Sequence, residues 1–110
     1  MTDERIDKIK SAVEAADHIP TNKKAELLAL LTNLKPEIAK VAETHPEDAH
    51  TIGRSVEASA HAVAHENKRP EHVEKAVLDL KQSVQKFEAS HPDLAAFVSK
   101  YSTLLSALGI

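Results

Sequence analysis

Glu57, His61 and His65 stand four residues apart on a segment with helical periodicity, the spacing at which chemistry is easiest to imagine in this chain. Side chains at i and i+4 of a helix lie one above the other. Two imidazoles so placed can share a Zn²⁺, Ni²⁺ or Cu²⁺ ion, with the carboxylate as a further ligand. At ~100° per residue, His50, Arg54, Glu57, His61 and His65 fall within about 80° of one another. Ile52, Val56 and Val63 lie on the opposite side, so the histidines are expected to face solvent. A metal site there also needs groups that orient each ring, and a ligand from His72 or from a second subunit. The plainer expectation is a wet, histidine-bearing helix face.

Other reactive sets are missing. With no cysteine there is no disulfide, thiolate zinc site or cysteine nucleophile. The single methionine is Met1 and no C-x-x-C-H occurs, so haem would need two inward histidines. No pair of E-x-x-H motifs suits a di-iron bundle. Gly53 and Gly109, the only glycines, make no phosphate-cradling loop. The serines have no base and orienting acid in register. His45 and His91 each precede a proline in a turn; they could face each other, but no carboxylate at fixed spacing completes an acid–base pair. The chain is therefore expected not to be an enzyme and to carry no cofactor.

The elements that would position these residues are helices. Apolar residues recur every three to four positions throughout, and hairpin-type glycine turns are absent. Five helices are predicted, at about 3–17, 21–44, 46–66, 71–89 and 92–108, in one domain spanning 1–110. The fold class is all-α: an antiparallel helical bundle of four main helices plus a short N-terminal helix. The second helix carries Leu27, Leu28, Leu30, Leu31 and Leu34 and is expected to be central and most buried, with Pro36 kinking it. Thr44 with Glu47, and Ser90 with Asp93, read as capping arrangements for the third and fifth helices. Gly109 sits where a left-handed C-cap would let Ile110 fold back on Leu105.

Shifting the chain by 46 residues places Leu34-Lys35 on Leu80-Lys81, Lys40 on Lys86 and His45-Pro46 on His91-Pro92. Val41 then meets Phe87, and Ala49 meets Ala95, without a gap. A duplicated αα-hairpin accounts for this register; convergence of two helix–turn–helix units is the alternative.

Charge and length narrow the partners. A formal net charge of −3, spread along the 110 residues, gives no basic footprint for nucleic acid. Seven histidines allow surface charge to change sign in mild acid. No run of about 18 apolar residues spans a membrane, and the charged opening Met1-Thr2-Asp3-Glu4-Arg5 lacks a signal-peptide core. A cytoplasmic, bacterial-type protein is the expectation.

The closing stretch Phe87-Glu88-Ala89-Ser90-His91-Pro92-Asp93-Leu94-Ala95, with Leu108-Gly109-Ile110, resembles the bacterial family called domain of unknown function 4404. The resemblance covers residues 77–110 well and 1–40 loosely, while 45–68 look like additional material. It implies a helical fold and no assigned activity, so no site residue is carried over.

What remains is surplus apolar helix surface. Leu94, Phe97, Tyr101, Leu104 and Leu108 on the fifth helix exceed one stripe, and the second helix is similarly rich. Either the bundle encloses these residues in its core, which is the first expectation, or the five form an interaction surface for a protein partner or a homodimer. The expected function is a protein-interaction or assembly module, with metal binding by His61, His65 and Glu57 as the alternative.

Overall fold

A computed structural model describes residues 2–64 and 69–109. Its elements are α1 (Thr2–Ala15), α2 (Thr21–Thr44), α3 (Pro46–Ala64), α4 (Pro70–Val84), a 3₁₀ turn (Gln85–Phe87) and α5 (Pro92–Gly109), with no strand among the described residues. The chain is an all-α helical bundle with one continuous core, to which all five helices contribute.

Each helix buries the stripe its periodicity marks out. On α1 this is Ile6, Ile9 and Val13; on α2 it is Leu27, Leu31, Leu34, Ile38 and Val41. Val73, Val77, Leu80 and Val84 of α4 continue the pattern. Each such side chain contributes roughly 1.5–3 kcal/mol when removed from water.

The hub is α3 rather than α2. It packs against α1, α2, α4 and α5, whereas α2 meets only α1, α3 and α5. The reason lies in side-chain size. Ala49, Gly53, Ser59 and Ala60 are all buried on α3 and let four neighbours approach its backbone, which the bulkier leucines of α2 do not. Leu28 and Leu30 stay only partly buried at the margin.

Three helix ends differ from expectation. α1 stops at Ala15, where Ala16 N–H turns back to the Val13 carbonyl at 3.1 Å and tightens the end. α4 stops at Val84 instead of continuing to 89, and the chain tightens into the 3₁₀ turn, where Glu88 N–H donates to Gln85 O at 3.4 Å. Gly109 is the last helical residue, and no glycine among the described residues has positive φ, so the expected left-handed ending is not formed. Ile110 lies outside the described residues.

The capping arrangements are replaced by a shared backbone pattern. Thr44 ends α2, and its hydroxyl meets His45 Nδ1 at 2.8 Å; His45 alone separates α2 from α3. His45 N–H donates to Val41 O at 2.7 Å, and His45 O accepts from Ala49 N–H at 3.0 Å. At the second turn His91 N–H donates to Phe87 O at 2.7 Å, and His91 O accepts from Ala95 N–H at 3.2 Å. The three residues of each set are those that the 46-residue shift superimposes. The likeness is local, because α2 runs unbroken into its turn and α4 does not.

One buried group is unsatisfied. Ser102 is completely buried on α5, and its Oγ has no hydrogen-bond partner among the described residues. Ser102→Ala is expected to raise stability by about 1 kcal/mol, because an unpaired buried hydroxyl costs its desolvation. A urea midpoint above wild type is the predicted result; a lower midpoint would mean that the hydroxyl is partnered.

Candidate functional site

The histidine face of α3 forms as its periodicity dictates, since His50, Arg54 and His61 are exposed opposite Ile52, Val56 and Val63. Of its three proposed ligands, Glu57 and His61 are described. Glu57 Oε1 is engaged by Arg5 Nε of α1 at 3.3 Å, a half-exposed ion pair. His61 is exposed, and His65 lies outside the described residues. His72, the candidate further ligand, is exposed on α4 in a groove beside Arg54 and Lys75. Among the described residues no three His, Cys, Asp or Glu side chains are grouped to hold an ion.

His45 and His91 do converge, though not as a reactive pair. Their rings meet Phe87 edge-on, with centroids 5.3 Å and 5.8 Å from it. Lys86 Nζ reaches the same ring at 5.6 Å and pairs with Asp48 Oδ1 at 2.8 Å, tying the 3₁₀ turn to α3. The turn histidines thus dress an aromatic side chain at one end of the bundle.

The five residues expected to form an adhesive face divide. Leu94, Tyr101 and Leu104 belong to the core, while Phe97 and Leu108 are partly buried against it. The surplus on α5 is absorbed because this helix packs against α2, α3 and α4 at once, which demands apolar residues around most of its circumference.

Tyr101 has a polar role that its spacing did not announce. Its hydroxyl lies 3.0 Å from Ser59 Oγ, which is 2.8 Å from the Val56 carbonyl; the direct Tyr101–Val56 contact is longer, at 3.3 Å. With one proton on each hydroxyl, the shortest consistent chain has Tyr101 donating to Ser59 and Ser59 donating to the carbonyl. Burial raises the Tyr101 pKa well above its usual value, and the Ser59 hydrogen bond offsets this in part.

His18 was also silent in the sequence. From the α1–α2 connection its Nε2 reaches the Val63 carbonyl at 3.0 Å. A carbonyl only accepts, so Nε2 carries the proton, and the ring serves a carbonyl in the last turn of α3. No helical pattern marks such a contact, which joins residues 45 apart.

Among the grooves on the surface, one of about 440 Å³ lies between α2 and α5. Ala29, Leu30, Leu104 and Ala107 supply its apolar lining, and Lys23, Glu26, Lys100 and Thr103 its polar margin. The Lys23–Glu26 pair is loose, at 3.9 Å, and exposed. Among the described residues the groove's lining includes no histidine, serine or cysteine. It offers apolar contact and two ammonium groups. No helix among the described residues is long and apolar enough to cross a membrane.

No protein-family model, curated protein or solved structure matches this chain.

Proposed function

We propose that this chain is a non-enzymatic protein-interaction module of the cytoplasm whose contact face is the α2–α5 groove. The observation that carries the reading is the apolar lining of Leu30, Leu104, Ala29 and Ala107, left open between the two helices richest in leucine. The fitting occupant is an amphipathic helix of a partner protein. Its apolar stripe would lie along the groove, as in helix-in-groove recognition. Lys23 and Lys100 against Glu26 make the margin net positive in a chain of net charge −3, so the partner helix carries carboxylates on its flank.

Ala29→Glu with Ala107→Glu tests this, because both alanines are exposed and neither substitution disturbs the core. In quantitative affinity capture from the native cell, wild-type chain and His61→Ala are expected to retain the same partner. The double variant should lose it at least about tenfold, the effect of roughly 1.4 kcal/mol. The retained partner must then bind the purified wild-type chain directly. Equal recovery by the double variant, or binding by no protein at all, would overturn the proposal. A second copy of this chain as the retained species would transfer the face to homodimerisation and would equally overturn the partner-helix reading.

A further inference from the structure

A second groove, of about 480 Å³, runs between α3 and α4, and its chemistry differs from the first. Arg54, His72 and Lys75 line it together with the hydroxyl residues Thr51 and Ser55 and a single acid, Asp79. Ala58, Ala62 and Ala76 complete the lining; their short side chains leave open the space between the two helices.

Five of the chain's cations are tied to carboxylates among the described residues, while others, such as Lys24, Lys81 and Lys100, are not. Arg5, Lys23, Lys35, Lys40 and Lys86 all have a carboxylate within 4.0 Å. Arg54 and Lys75 form no such ion pair among the described residues, although Asp79 lines the same groove. A guanidinium, an ammonium and an imidazole from two helices thus line one recess in which Asp79 is the single carboxylate, in a chain of net charge −3. Arg54 provides a planar fork of donors suited to an oxyanion, and Lys75 a point charge. Ser55 adds a hydroxyl donor, and Asp79 accepts from a ligand hydroxyl.

We infer that the α3–α4 groove binds a small organic phosphate, with Arg54, Lys75 and His72 around the phosphate and the alanines beneath its carbon body. Two permanent cations balance a phosphate dianion, and the groove is of the size usual for small-molecule sites. Asp79 favours a body that carries hydroxyls over a purely apolar one.

Titration of the ¹⁵N-labelled full chain with ribose 5-phosphate at low ionic strength tests this. Saturable amide shifts are expected within 51–62 and 72–79, and ribose at the same concentrations should produce none. Arg54→Ala with Lys75→Ala should weaken the affinity about tenfold or more, while Lys23→Ala with Lys100→Ala, in the other groove, should leave it unchanged. All four side chains are at the surface, and unchanged dispersion of the remaining amides verifies the fold. Shifts that do not saturate, shifts centred elsewhere, or equal weakening by the two double variants would overturn the inference. Inorganic phosphate binding as tightly as ribose 5-phosphate would also overturn it, because the groove would then contribute nothing to the organic body.

Discussion

Tyr101→Ala is expected to destabilise the chain by about 3–5 kcal/mol, the range for removing a large buried ring from a core that cannot collapse around the gap. Tyr101 is completely buried on α5, and its loss also strips Ser59 of a hydroxyl neighbour. Against a typical domain stability of about 5–15 kcal/mol this is a large fraction. Tyr101→Phe keeps the ring and leaves Ser59 donating to the Val56 carbonyl, so it should cost only about 1 kcal/mol. The two variants separate packing from hydrogen bonding at one position, read from their denaturant midpoints.

The same residue makes the fold sensitive to base. Burial holds the folded-state pKa of Tyr101 above that of the unfolded chain. Below about pH 10 both states keep the phenolic proton, and the group contributes no pH dependence. Above it the unfolded chain ionises while the folded one does not. Stability then falls by about 1.4 kcal/mol for each pH unit until the folded pKa is reached. The chain has one tyrosine and no tryptophan, so tyrosinate absorbance reports this residue alone. It should appear together with the loss of helical circular dichroism. Ionisation of Tyr101 near pH 10 with helicity intact would contradict its burial, and Tyr101→Phe should lose the corresponding part of the base sensitivity.

Leu94→Ala is the second large effect, about 2–5 kcal/mol of stability with no change in partner affinity. Leu94 lies in the first turn of α5 with no exposed surface. A residue of an interaction face would behave in the opposite way, weakening a complex while leaving the melting temperature nearly unchanged. Thermal melts of the isolated chain decide between these. A melting temperature equal to wild type would return Leu94 to the surface.

The difference between Leu94 as a surface residue and Leu94 as core shows what the sequence could and could not convey. Periodicity located the helices and the buried stripe of each, because three- and four-residue spacing is a local property of one helix. It also placed His50, Arg54 and His61 in solvent. How many neighbours surround a helix is not local. Leu94 and Tyr101 look like surplus only if α5 faces one partner, whereas it faces three helices; Leu104, though buried, also edges the α2–α5 groove. The central position of α3 was hidden for the same reason: Ala49, Gly53 and Ala60 are weakly hydrophobic, yet they govern how closely helices approach. The links from His18 to Val63 and from Tyr101 to Ser59 join residues more than 40 apart. No motif records such contacts. The 46-residue register was the exception, a long-range signal in the sequence that reappears as matching hydrogen bonds at His45 and His91.

The central claim is that the leucine-lined cleft between α2 and α5 is the face on which this chain meets its partner. Amide hydrogen exchange of the chain, alone and bound to the partner it retains, addresses that claim most directly. Slowed exchange concentrated in residues 23–30 and 100–107, with the exposed face around His61 unaffected, is the predicted result. Protection centred on α3 and α4, or no difference between free and bound chain, would contradict it.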